Sequence, residues 1–173
     1  SVNDLKTGDR VAYASPPTGS YAEKKVMPAN RLVKIPDDIS DDVAAAIMLK
    51  GMTVEYLVRR TFVVKKGQSV LFHAAAGGVG LIACQWLKAI GATIIGTVGS
   101  EEKALMAKEN GCTHTILYRK ENFVERVKEI TNGEGVPVVY DGIGKDTAMQ
   151  GLDCLSPLGM MVIFGNSSGN APP

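Results

Sequence analysis

The sequence has almost no net charge: across 173 residues, 19 Lys and Arg stand against 18 Asp and Glu, leaving +1. With the signs interspersed, binding to nucleic acid or to an anionic membrane through bulk charge is excluded. Cysteine is scarce. Cys84, Cys112 and Cys154 are far apart and odd in number, so they form neither a metal-ligand spacing nor a disulfide framework. A reducing, cytoplasmic compartment is the expectation. No signal or transit peptide pattern, fixed-period repeat, low-complexity segment or Gly-x-Ser-x-Gly nucleophile elbow is visible. Charged residues at 21% beside 45% hydrophobic residues exclude global disorder. The chain begins at Ser1 and ends on Ala171-Pro172-Pro173, neither of which reads as a finished terminus, so a segment of a longer protein is expected.

Glycine, by contrast, is abundant. Its 19 residues are about a ninth of the chain, against a usual share of roughly 7%, and they cluster. The longest uncharged run, GQSVLFHAAAGGVGLIACQWL over 67–87, could span a bilayer by count alone. Ser69, His73, Gln85 and three central glycines suit a buried strand, a glycine turn and a buried helix better, and no membrane segment is expected.

The first forty residues differ from the rest. Arg10 to Ala14 and Tyr21 to Val26, separated by the Pro16–Ser20 loop, read as short strands of a β-rich piece. Ser40 caps a helix with Asp41 and Asp42 in its first turn. Val43 to Leu49 and the stretch from Thr53 to Arg60 read as helical. From Ser69 onward, apolar runs at 70–74, 93–98, 114–118, 136–140 and 160–164 read as strands. Between them, 79–90, 101–110, 122–131 and 146–155 carry helical spacing and close near Gly91, Asn110-Gly111, Asn132-Gly133 and Gly159. This alternation predicts an α/β fold with a doubly wound parallel sheet, the Rossmann arrangement, lacking its sixth strand.

The first strand runs into Ala75-Ala76-Gly77-Gly78-Val79-Gly80, where a helix opens. Against G-x-G-x-x-G, the positions are Ala75, Gly77 and Gly80. A dinucleotide site needs a tight turn, a bare backbone beside the pyrophosphate, and a small residue where helix meets strand. The helix N-terminus then offers free N–H groups to the phosphates. An enzyme that binds a free ribose 2′-hydroxyl usually carries Asp or Glu at the second strand's tip. Here the tip is Gly96-Thr97-Val98-Gly99-Ser100. Lys103, early in the next helix, is a cation facing the positive helix end, a conflict that a bound 2′-phosphate removes. NADP(H) is therefore expected over NAD(H).

Other features carry less. His73 and His114 read as packed, hydrogen-bonded histidines, with no acid at fixed spacing. Tyr21-x-x-x-Lys25 matches the pair of short-chain dehydrogenases but precedes the glycine loop, so it is a chance match. Asp141 ends the fourth strand and is expected to hold the following loop, with Gly142 allowing close approach of a cofactor. Trp86 reads as core.

The motifs Lys50-Gly51-Met52-Thr53, His73 to Gly80, Gly96 to Gly99, Ile116-Leu117-Tyr118-Arg119 and Phe164-Gly165-Asn166-Ser167-Ser168-Gly169 closely resemble the quinone oxidoreductases, the zeta-crystallin-like branch of the medium-chain dehydrogenases. The likeness covers essentially the whole chain. It implies that residues 1–45 are part of a GroES-like catalytic domain and that 46–173 form the NADP-binding domain. By that resemblance Gly77, Gly78, Val79 and Gly80 hold the pyrophosphate, and Gly99, Ser100, Lys103 and Tyr118 the 2′-phosphate. Thr53, Phe164, Gly165, Asn166 and Ser167 lie toward the nicotinamide and its ribose. It also implies NADPH as cofactor, a quinone or activated alkene as acceptor, and a homodimer. No individual catalytic residue is assigned.

Zinc-dependent cousins place a metal ligand just before the glycine matching Gly51; Lys50 stands there, and a protonated ammonium does not ligate zinc. A zinc-free hydride transfer is the first reading. Beside it stand a zinc alcohol dehydrogenase, opposed by Lys50, and a Rossmann methyltransferase, opposed by Gly99 where an acid would be wanted. A binding or structural module without turnover also remains, because the resemblance assigns most acceptor-side residues to other parts of the family's chain.

Overall fold

The computed structural model describes residues 4–14 and 16–172. The readings of Ser1 and Pro173 as unfinished termini lie outside these residues. The chain divides into two compact units, 1–52 and 53–173.

In the first unit, β1 (Val11–Ala12) pairs antiparallel with β2 (Val33–Lys34). Tyr21 to Val26 does not form the expected strand. Tyr21 and Val26 are fully exposed, and no described strand lies beside them to pair. Arg10 donates to Asp41 Oδ1 at 2.7 Å and to the Ile39 carbonyl at 2.7 Å, tying β1 to the start of α1 (Asp41–Tyr56). Ser40 caps that helix, its hydroxyl accepting from Val43 N–H at 3.3 Å. α1 is one helix of 16 residues where the sequence suggests two, and it runs through Gly51. A wider π-type turn over Leu57–Thr61 ends it.

The second unit is a sheet of five parallel strands with helices between them. In chain order these are β3 (Ser69–Phe72), α2 (Gly78–Ile90), β4 (Thr93–Val98), α3 (Glu101–Glu109), β5 (His114–Leu117), α4 (Phe123–Ile130), β6 (Val136–Asp141), α5 (Ala148–Leu152) and β7 (Leu155–Ile163). The spatial order β5-β4-β3-β6-β7 reverses direction between β3 and β6, the switch point where ligands gather in such sheets. The fold is the doubly wound α/β arrangement read from the sequence. Among the described residues no helix is long and apolar enough to cross a membrane; the uncharged run over 67–87 is β3, the loop and most of α2.

Alternation along the strands splits the core. Val70 and Phe72 join Ile94, Val98, Val138 and Tyr140 beneath α2 and α3, while Leu71 joins Ile95, Ile116 and Val139 beneath α4. Period-two burial on both faces is what covering helices demand. The last helix–strand unit departs from expectation. α5 is only five residues long, and β7 starts at Leu155 rather than 160. Gly159 is not a helix terminator; it sits inside β7, where a Cβ would come 3.0 Å from the Val136 carbonyl oxygen. The ladder pairs Leu155 with Val136, breaks, and resumes with Met160 opposite Val138. In the break Leu158 takes a left-handed conformation (φ 62°) with its side chain in solvent.

Tyr140 anchors the wide turn to the sheet. Its buried hydroxyl donates within reach of two carbonyls, Leu57 at 3.2 Å and Phe62 at 3.3 Å, and burial pushes its pKa up. Tyr140→Phe is expected to lower unfolding free energy by about 1 to 2 kcal/mol, because it strands polar groups in the core; urea denaturation measures it.

Candidate dinucleotide site

The site begins where β3 ends. Ala74 adopts a left-handed conformation (φ 54°), which costs a non-glycine residue roughly 1–2 kcal/mol. Its carbonyl turns back to accept from Gly77 N–H at 2.8 Å. Gly77 caps α2 in an extended conformation. The N–H groups of Gly78, Val79 and Gly80 precede the first helical bond, Leu81 N–H to the Gly77 carbonyl at 2.9 Å, so they are available to an anion. Gly80 is the tightest point. A Cβ there would stand 2.4 Å from the Ala74 carbonyl oxygen, so only glycine lets the helix sit this close to the strand. Gly77 and Gly78 are exposed, Val79 is half-buried against the core, and Gly80 is buried.

A cleft of about 430 Å³ opens over this loop. Gly77, Gly99, Ser100, Lys103, Tyr118 and Ser167 all line it, which brings six of the sequence-nominated residues to one surface. Ser100 caps α3, accepting from Lys103 N–H at 3.3 Å. Tyr118 lies against Gly99, whose Cβ would be 3.2 Å from the phenolic oxygen; a side chain at 99 would displace the ring. Nearby ion pairs use other residues, Lys120 with Glu101 at 3.1 Å and Arg126 with Glu121 at 3.1 Å and with Glu129. Among the described residues Lys103 and Arg119 enter no ion pair.

Sequence reasoning missed Arg119, Asp146 and Ser168 in this lining. Arg119 was visible as the residue after Tyr118; its guanidinium lies 5.9 Å from the Tyr118 ring centroid. Asp146 and Ser168 meet only through folding, Ser168 Oγ accepting from Asp146 N–H at 3.1 Å.

The other nominated residues lie elsewhere in the second unit. Thr53 is half-buried in α1. Phe164 packs into the core, its ring 5.8 Å from that of Phe72. Gly142 and Gly165 admit that packing: a Cβ on Gly142 would be 3.1 Å from the Phe164 ring, and one on Gly165 2.7 Å from the Gly142 carbonyl oxygen. Asn166 bonds Asn170 at 3.0 Å. Asp141 is buried and holds its loop, accepting from Ile143 N–H at 2.7 Å, Gly144 N–H at 3.1 Å and the Thr147 hydroxyl at 2.8 Å. Trp86 packs partly buried against the core. His114 is exposed at the sheet edge rather than packed. Lys25 pairs with the Tyr13 hydroxyl at 3.1 Å while Tyr21 stands in solvent, so the Tyr-x-x-x-Lys match makes no pair.

A family model described as zinc-binding dehydrogenase matches residues 78–172. The chain belongs to this family. It is similar to a quinone oxidoreductase of Pseudomonas aeruginosa, 54% identical over 97% of this chain and 52% of the relative. It is also similar to a 2-haloacrylate reductase of a Burkholderia species, 52% identical over 99% of this chain and 52% of the relative. A solved structure of Escherichia coli quinone oxidoreductase complexed with NADPH superposes with a TM-score of 0.96 at 52% identity, covering 99% of this chain and 53% of that one. The chain thus spans about half the length of the curated relatives it matches.

The residues at hand do not fit the metal in the family's name. Among the described residues no three His, Cys, Asp or Glu side chains gather, and Lys50 precedes Gly51. They do fit a dinucleotide phosphate: a backbone cradle with no room for a Cβ at Gly80, and two cations on the cleft without an acid partner.

Behind the loop, His73 is buried at 1% exposure, and burial pushes its pKa down to about 4, opposed by the Asp141 charge. The unfolded chain, with histidine near its usual value of roughly 6.5, therefore takes up this proton first. Stability falls as pH drops through that window, by on the order of 3 kcal/mol, and levels off below the folded pKa. His73→Asn is expected to flatten the difference between urea unfolding at about pH 7.5 and about pH 4.5.

Proposed function

We propose that this chain is the NADPH-binding part of an enzyme that passes hydride to a quinone or an activated alkene without zinc. The observation that carries the reading is the meeting of Lys103, Ser100, Gly99 and Tyr118 on one cleft beside the glycine loop. A carboxylate at Gly99 would repel a 2′-phosphate, whereas Lys103, with Arg119 beside it, attracts one. The names of the relatives support both acceptor classes, since one is a quinone oxidoreductase and another reduces 2-haloacrylate, an electron-poor alkene. The NADPH complex of the Escherichia coli relative supports the cofactor.

In this reading the backbone of Gly77, Gly78, Val79 and Gly80 receives the pyrophosphate at the positive end of α2. Gly99, Ser100, Lys103 and Tyr118 receive the 2′-phosphate. Thr53, Phe164, Gly165, Asn166 and Ser167 shape the nicotinamide side, as the resemblance implies, and Gly142 allows close approach of the cofactor. The bound nucleotide supplies hydride, and this unit's task is to fix the nucleotide's position. Residues 1–45 belong to a GroES-like catalytic domain, and 46–173 to the cofactor domain. A homodimer in the cytoplasm completes the reading: the resemblance supports the dimer, and three free, buried cysteines support a reducing compartment.

The second reading is a cofactor-binding module without turnover: the cleft residues named above hold the nucleotide, and none of them is assigned a catalytic role. Incubation with NADPH and 1,4-benzoquinone in a chelator separates the two. Oxidation marks a metal-free enzyme, binding alone marks a cofactor module, and no binding defeats both. Lys103→Ala is expected to weaken NADPH by about tenfold or more, the scale of one lost charge-assisted contact, with NADH nearly unchanged. Equal effects on the two nucleotides would sink the 2′-phosphate assignment.

A further inference from the structure

We propose that the Thr97 hydroxyl is a positioning group for the dinucleotide, a latch that holds the phosphate loop in its receiving shape. The inference rests on the NADPH reading above and adds a buried residue on β4 that no part of that reading uses.

Three hydrogen bonds join Thr97 to the loop. Its carbonyl accepts from Ala75 N–H at 3.1 Å, as a strand neighbour would. Its side-chain oxygen accepts from Ala74 N–H at 3.2 Å and pairs with His73 Nδ1 at 3.0 Å. Thr97 is 1% exposed, so its hydroxyl has no water to bond instead. The pattern also assigns the protons. With its oxygen accepting from Ala74, the hydroxyl hydrogen goes to His73 Nδ1, and the ring proton sits on Nε2, which has no partner. The opposite tautomer would strand both the threonine hydrogen and the Nε2 lone pair.

The bond to Ala74 matters most because of that residue's conformation. A left-handed alanine reverts unless something holds it, and its carbonyl fixes Gly77 N–H while packing under Gly80. The position of the α2 N-terminus therefore depends on Ala74. Next to Thr97, Gly96 leaves the space that Ala75 fills; a Cβ there would be 2.5 Å from the Ala75 Cβ. Strand pairing itself needs no hydroxyl, since β4 pairs Thr97 with Ile116 through backbone alone. Valine would keep shape and β-branching and remove only the latch.

The test titrates the 173-residue chain with NADPH and with NADH, following cofactor fluorescence, for wild type, Thr97→Val and Thr97→Ser, alongside amide exchange at Ala74. Thr97→Val is expected to weaken both nucleotides alike, by about tenfold, unlike the NADPH-selective loss in Lys103→Ala. The Ala74 amide should exchange faster while the β6 amides keep their protection. Thr97→Ser, which restores the hydroxyl, is expected to bind within about twofold of wild type. Thr97→Val binding like wild type, or Thr97→Ser binding as weakly as Thr97→Val, overturns the latch. Thr97→Ala replaces the valine variant if that one does not fold, with the same two outcomes deciding. A wild-type chain that binds neither nucleotide sinks the NADPH reading; Ala74 exchange, faster or unchanged in the variant, then still decides the latch.

Discussion

The contact between Gly80 and the Ala74 carbonyl is the constraint on which the second unit turns. Helix and strand approach until backbone touches backbone, with a hypothetical Cβ at 2.4 Å marking how little space remains. That approach sets the axis of α2, and through it the packing of Ala83, Cys84 and Leu87 on Val70, Ile94 and Ala75. It also aims the unpaired N–H groups at the switch point between β3 and β6. Core packing and ligand geometry are thus one problem here, solved by leaving a side chain out.

Around this contact the polar groups divide by burial. Inside, Thr97, Asp141, Thr147 and the Nδ1 of His73 direct their hydrogen bonds to loop backbone and to each other. Outside, Lys103 and Arg119 keep their charge exposed on the cleft. The buried set shapes the loop, and the exposed set places positive charge on the cleft.

Much of this was legible before folding. Strand and helix alternation gave the sheet, because each element's apolar period matches the side it buries. Gly77, Gly80, Gly99 and Lys103 stand out by position alone, since each answers a local demand of turn, cap or tip, and the structure brings Gly77, Gly99 and Lys103 to one cleft. The misses share a different cause. Thr97 looked like an ordinary strand residue, because its role depends on a loop more than twenty positions earlier. Asp146 and Ser168 reach the cleft through the meeting of two loops. Gly159 carried a correct signal for an irregular backbone, but a glycine does not say whether it ends a helix or breaks a strand. The helical stretches read over 43–49 and 53–60 meet as one, since α1 runs through Gly51.

The irregularity in β7 has a consequence for how the strand opens. Its ladder with β6 breaks between Leu155 and Met160, with Leu158 turned outward. The start of the strand and the run from Met160 to Ile163 are therefore held to β6 by separate sets of bonds. Fraying that begins at Leu155 stops at the break, so the pairing that carries Val162 into the core is insulated from it.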